Sequence, residues 1–148
     1  MKKVCLIASS GGHFEQIKRL KKLEKNFKIF YVTERTPVAQ NADYYLKQIN
    51  RKEKKWIIKF LSNFFVSLKI FLGEKPNIII STGALATLPM LIIGKIFGVK
   101  VIFIESFAKV TTPTLTGRLA YKFVDLFIIQ WKELKKYYPN AIYGGGIY

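Results

Sequence analysis

Val4-Cys5-Leu6-Ile7-Ala8-Ser9-Ser10-Gly11-Gly12-His13 is the stretch on which the fold turns. The apolar run Val4–Ala8 reads as a short strand. Ser-Ser-Gly-Gly ends it, and beyond His13 the apolar residues Phe14, Ile17, Leu20 and Leu23 recur with Lys, Arg, Glu and Gln between them, which predicts an amphipathic helix over Phe14–Leu23. A strand that passes through a glycine loop into a helix leaves N–H groups unpaired at the helix start, where an oxyanion can approach the backbone. A diphosphate suits such a loop at Ser9, Ser10, Gly11 and Gly12; an unliganded strand-to-helix turn shows the same pattern. The spacings G-x-G-x-x-G and G-x-x-x-x-G-K-S/T are both missing, so a nicotinamide site or a P-loop ATPase is not supported.

Working outward, strands are predicted at Val4–Ala8, Lys28–Val32, Tyr44–Lys47, Asn77–Ser81, Val101–Glu105, Leu126–Ile129 and Ala141–Tyr143. Helices are predicted at Phe14–Leu23, Lys54–Leu72, Leu88–Phe97, Leu115–Phe123 and Lys132–Tyr138. This alternation predicts an α/β fold with a Rossmann-like, mainly parallel sheet flanked by helices. The 148 residues suit one domain, 1–148. In such sheets ligands bind beyond the carboxyl ends of the strands, which collects Ser9–His13, Thr33–Pro37, Ser81–Ala84 and Glu105–Pro113 on one rim.

A second loop, Thr82-Gly83-Ala84, follows the apolar strand Asn77–Ser81, so Thr82 and Gly83 join the diphosphate candidates; a capped turn without ligand is the plainer alternative. His13 is a candidate general base on an acceptor hydroxyl, since imidazole titrates near neutrality, or else a hydrogen-bonding clamp on phosphate. Glu105 ends its strand at the same rim and is the second catalytic candidate, with pairing to a neighbouring Lys as the structural alternative.

The chain holds 25 Lys and Arg against nine Asp and Glu, and 17 of the basic residues fall within 1–75. That field favours an anionic partner. Two rival readings are a basic nucleic-acid-binding protein, against which the cations alternate with aliphatic residues and no recognition motif occurs, and a stand-alone small α/β enzyme on a phosphorylated metabolite. Lys54-Lys55-Trp56 opens a long apolar segment with a narrow polar stripe that includes Lys59. Its interior charge argues against crossing a bilayer. It suits lying on an anionic membrane, with Lys54, Lys55, Trp56 and Lys59 at the lipid and Arg51-Lys52 adding attraction; a helix covering the sheet is the competing reading. One His and scattered acids offer no metal-ligand spacing, and no cofactor is expected. The single Cys5 sits inside the first strand with no disulfide partner, and the apolar run after Met1-Lys2-Lys3 is too short for a signal peptide.

Ser-Ser-Gly-Gly-His, Ser81-Thr82-Gly83-Ala84, Phe103-Ile104-Glu105-Ser106-Phe107-Ala108-Lys109-Val110, Leu115-Thr116-Gly117-Arg118-Leu119 and Gln130-Trp131 together resemble a known family. It comprises bacterial capsule and exopolysaccharide glycosyltransferase accessory subunits of the galactosyltransferase-enhancer type. They are related to the membrane-recruiting subunit of the eukaryotic N-acetylglucosaminyltransferase of dolichol-linked oligosaccharide assembly. The resemblance implies the N-terminal half of a GT-B glycosyltransferase, similar to lipid II-forming enzymes. It implies Gly11, Gly12, His13 and Gly83 at the acceptor diphosphate and Glu105 near the acceptor sugar. It also implies a heterodimer or larger assembly with a donor-binding glycosyltransferase subunit, and a polyprenyl-diphosphate-linked sugar acceptor at the cytoplasmic face of the membrane. Because the glycine-loop strand begins at Val4, attachment is expected to be peripheral. The run Tyr143–Tyr148 is expected to end about where a fused enzyme would enter its interdomain linker.

Overall fold

The apolar runs pair side by side into one parallel sheet. In the computed structural model, which describes residues 1–39 and 41–147, the strands are β1 (Lys3–Ile7), β2 (Lys28–Glu34), β3 (Tyr44–Leu46), β4 (Ile78–Ser81), β5 (Lys100–Ile104), β6 (Leu126–Ile129) and β7 (Ile142–Tyr143). Gln40 and Tyr148, the last residue of the C-terminal run named above, lie outside the described residues. The spatial order is β3-β2-β1-β4-β5-β6-β7, and each neighbouring pair is parallel. The sheet grows outward in both directions from β1 and β4, so the loops that leave these two strands part into a crevice at their carboxyl ends. This is the expected Rossmann-like fold.

The helices are α1 (Gly12–Lys18), α2 (Trp56–Glu74), α3 (Leu88–Ile96) and α4 (Leu115–Tyr121). Two expected helices are tighter than foreseen. α1 stops at Lys18, and Arg19–Lys25 continues as a 3₁₀ segment; Lys132–Lys136 is 3₁₀ as well. The reason for the first lies in its spacing. Phe14, Ile17, Leu20 and Leu23 are three residues apart, which keeps one face at the 3₁₀ period of three but drifts around an α-helix of 3.6. Lys54 and Lys55 precede α2 instead of forming its first turn, and the helix runs past Leu72 to Glu74, where Lys75 takes a left-handed conformation.

One face of the sheet buries Cys5, Ile7, Phe30, Val32, Ile79, Val101, Phe103 and Phe127 together with side chains of α2, α3 and α4. The other buries Val4, Leu6, Ala8 and Ile80 against Phe14 and Ile17 of α1. Cys5 is wholly buried, and burial pushes its thiol pKa up, so it packs as a small neutral hydrophobe. By length and composition α2 could cross a bilayer, against the sequence expectation. Its inner side belongs to the domain, however: Ile70 and Phe71 are in the core, and the Asn63 amide both accepts from Lys47 N–H and donates to Lys47 C=O, at 2.8 Å each.

Candidate functional site

The two glycine loops are tied to each other across the crevice. Ser9 N–H donates to Gly83 C=O at 2.7 Å, Ala84 N–H to Ser9 Oγ at 2.8 Å, and Thr82 Oγ1 to His13 C=O at 2.7 Å. His13 Nδ1 lies 2.7 Å from Thr82 C=O. A carbonyl only accepts, so Nδ1 carries the hydrogen, and in the neutral ring Nε2 keeps its lone pair. That is the tautomer a general base needs.

These ties redistribute the expected diphosphate contacts. Ser10 N–H is taken by Glu34 Oε1 at 3.3 Å and Gly83 N–H by Ser81 Oγ at 3.0 Å, while the Ser9 and Thr82 hydroxyls serve the link between loops. The donors left for an anion are the N–H groups of Gly11, Gly12 and His13 at the start of α1, which have no intrahelical partner. Gly11 has φ 82°, a left-handed conformation that favours glycine, and open space lies above both Gly11 and Gly12.

Glu105 is placed otherwise than its catalytic candidacy requires. It is fully buried, and its carboxyl group accepts from Ser106 N–H (2.9 Å), Thr114 N–H (3.1 Å), Thr114 Oγ1 (2.8 Å) and Tyr138 OH (2.7 Å). Four donors occupy the lone-pair positions of a carboxyl group, leaving none for a substrate hydroxyl. No lysine pairs with it among the described ion pairs. Burial, then the hydrogen bond to Glu105, pushes the Tyr138 phenol pKa up. Gly117 explains the motif around it: a Cβ there would stand 2.1 Å from Glu105 Oε2. Glu105 therefore ties together the two ends of the rim loop 106–114, whose first residues are held as well by Trp131 Nε1 donating to Phe107 C=O at 2.7 Å. Buried Gln130 donates both to Glu105 C=O and to Gln16 Oε1, joining this rim to α1.

Beside the glycine loops a cleft of about 490 Å³ opens between Ser9, Glu34, Asn50, Arg51, Thr114 and Thr116. Of the expected diphosphate residues only Ser9 lines it. Glu34 was not foreseen. Its buried carboxyl accepts from Ser10 N–H and from Ile49 N–H at 2.8 Å, so it shapes the cleft floor. The available signal was an acid ending an apolar strand, where burial demands partners. Arg51 and Lys52, expected from sequence to add membrane attraction, also line this cleft. Among the described residues no cluster of three or more His, Cys, Asp or Glu could hold a metal ion.

The outer side of α2 is apolar and wet: Ile57, Ile58, Leu61, Phe65 and Leu72 are all more than half exposed, Phe65 at 70%. At 3.6 residues per turn these five form one stripe. Ile96 and Phe97 are exposed at the end of α3. Lys54 and Lys55 are exposed just ahead of the stripe, whereas Trp56 and Lys59 are half-buried, so the stripe replaces Trp56 as the greasiest part of the surface.

A family model described as "Oligosaccharide biosynthesis protein Alg14 like" matches residues 46–147. The chain belongs to the Alg14 family. Three proteins named UDP-N-acetylglucosamine transferase subunit ALG14 are similar to it at 28% identity each. The mouse protein aligns over 98% of this chain and 82% of its own length, the human over 77% and 58%, and that of Yarrowia lipolytica over 93% and 64%. The fold is similar to that of Acinetobacter baumannii MurG, with TM-score 0.73 and 15% identity over 90% of this chain and 43% of that one. It is also similar to Neisseria meningitidis UDP-GlcNAc 2-epimerase, with TM-score 0.76 and 12% identity over 98% and 47%. This Alg14-family chain thus has the Rossmann-like N-terminal-half fold of a GT-B protein and spans under half of each structural neighbour. Within the Alg14 match lie Thr82, Gly83, Glu105, Gly117 and Gln130; the Ser9–His13 loop precedes it.

Proposed function

We propose that this chain is the acceptor-binding and activating subunit of a two-chain glycosyltransferase that extends a lipid-linked saccharide. The observation that carries the reading is His13, held by Thr82 so that Nε2 is free beside the unpaired N–H groups of α1. Nε2 takes the proton of the acceptor hydroxyl as that oxygen attacks the anomeric carbon of the donor sugar and the nucleotide diphosphate leaves. Gly11 and Gly12 hold the acceptor's diphosphate through backbone N–H groups. Residues 1–148 act as one acceptor domain, and a second chain supplies the nucleotide-sugar site, in keeping with relatives named as transferase subunits.

The exposed stripe on α2, with Lys54 and Lys55 ahead of it, suits peripheral contact with the anionic cytoplasmic face of a membrane. An undecaprenyl carrier and a capsule or exopolysaccharide product are the finer reading, supported by the resemblance of the motifs. The decisive test is transfer from UDP-GlcNAc, the donor named for the relatives, to a polyprenyl-diphosphate-linked saccharide. The purified chain is expected to be inactive alone and active with a donor-binding subunit. Turnover by the isolated chain at the rate of the mixture overturns the two-subunit reading.

A further inference from the structure

The cleft beside the glycine loops shares a wall residue with a second hollow, and that hollow shares two with a third. Gln48 walls both that cleft and a second hollow of about 480 Å³, formed with Arg35, Tyr45, Lys47, Lys59 and Val66. Tyr45 and Val66 in turn wall a third hollow of about 390 Å³, completed by Tyr44, Lys69, Ile70 and Gly73. The three follow one another along the edge strand β3 and the flank of α2. From Lys59 to Gly73 that flank is about 21 Å long at 1.5 Å per residue.

The chemistry changes in order along the groove. Arg51 and Lys52 stand at the cleft, Arg35 and Lys47 in the middle, and the last hollow is mostly apolar. Lys59 is engaged by Glu53 at 2.6 Å, whereas among the described residues neither Arg35 nor Lys47 has an ion-pair partner. The Arg35 guanidinium lies over the Tyr45 ring, 4.8 Å from its centre. Unpaired cations that give way to an apolar trough complement an amphiphile with an anionic head and a hydrocarbon tail. Lys69 and Gly73 then neighbour Phe65 and Leu72, so the trough opens toward the exposed stripe of α2.

Resting on the acceptor-binding reading, we propose that this groove holds the acceptor's isoprenoid diphosphate. With the diphosphate held at the glycine loops, Arg51 in the adjoining cleft faces its phosphates, Arg35 and Lys47 flank the way out along β3, and the first prenyl units occupy the Tyr44–Gly73 hollow before the chain enters the membrane beside α2.

The test is binding of geranylgeranyl diphosphate to the full chain by calorimetry, with inorganic diphosphate and short-chain phosphatidylglycerol as comparison probes. Native protein is expected to bind the prenyl diphosphate at least tenfold more tightly than inorganic diphosphate. Gly73→Leu puts a side chain at a helical position with no atom within 4 Å of its Cβ, and Leu favours the helix over Gly, so the fold tolerates it. This variant, and Val66→Trp at the junction of two hollows, are expected to lose the tenfold preference while inorganic diphosphate binds as before. Native-like prenyl binding by both variants overturns the groove, as does equal competition by phosphatidylglycerol. Inorganic diphosphate binding without prenyl preference removes the groove and leaves the acceptor reading standing; binding of neither probe removes both.

Discussion

His13 stands at the start of α1, just past the loop that leaves β1, and Glu105 begins the loop that leaves β5; both are polar residues at the carboxyl edge of the sheet. The fold treats them in opposite ways. His13 is tied through one ring nitrogen and the other is left over, on a rim of unpaired N–H groups. Glu105 is wholly buried and meets four donors. A polar group with spare hydrogen-bonding capacity can act on a ligand, while a saturated buried one stabilises the surrounding structure and costs stability when its partners are orphaned. Spare hydrogen-bonding capacity at this rim therefore lies on the β1 side, and the saturated carboxyl group on the β5 side.

The largest effect expected from this contrast is on stability. Glu105→Ala orphans Tyr138 OH and the Thr114 donors, and is expected to lower the unfolding free energy by about 3–5 kcal/mol in urea titration. Gly117→Ala, which drives a methyl group into the same carboxyl, is expected to destabilise by the same route. A loss under about 1 kcal/mol for Glu105→Ala would return that residue to the list of catalytic groups. Next comes His13→Ala, expected to cut transfer by the reconstituted enzyme about a hundredfold while changing unfolding free energy by less than about 1 kcal/mol. A loss below about tenfold, with the pH profile unchanged, assigns His13 to clamping phosphate instead.

The same distinction between spare and used surface divides α2. Replacing Lys54 and Lys55 by Gln is expected to weaken sedimentation with anionic vesicles by about 1 kcal/mol per lysine at low salt, with a salt-insensitive remainder from the apolar stripe. Native protein that stays in the supernatant at low salt refutes the membrane contact.

The smallest effect is alkaline. Tyr138 in the fold holds its proton above the ordinary tyrosine value of 10.0, because of burial and its bond to Glu105. The unfolded chain ionises first, so the contribution of Tyr138 is fully present below that value and shrinks as pH rises beyond it. Tyr138→Phe is expected to cost about 1 kcal/mol at neutral pH and to flatten the fall of the urea midpoint above pH 10. An equally steep fall in the variant would show that the phenol does not carry it.

Several parts of this arrangement were legible in advance. Val4–Ala8, Asn77–Ser81 and Val101–Glu105 read as strands of a mainly parallel sheet because apolar runs alternate with helical segments along the chain, and the glycines marked where the chain had to turn. The helix at Phe14–Leu23 misled, since an i+3 spacing was read on an α-helical period when it fits the 3₁₀ segment that follows Lys18. Glu105 misled for another reason. A carboxyl at a strand end looks the same whether it faces substrate or four protein donors. Glu34 escaped notice because its partners, Ser10 and Ile49, come from two other loops.

What the sequence by itself determined is the α/β order, the rim of loops that includes the glycine turn after β1, and the basic, apolar character of α2. All of these follow from periodicity, glycine placement and charge within a short window of chain. Only the tertiary structure decided which polar groups are spent and which are free. His13 meets Thr82 across 69 residues, Gln130 meets Gln16 across 114, and Tyr138 meets Glu105 across 33. A hydrogen bond is settled at about 3 Å, and no local pattern records which distant groups the fold will bring within that distance.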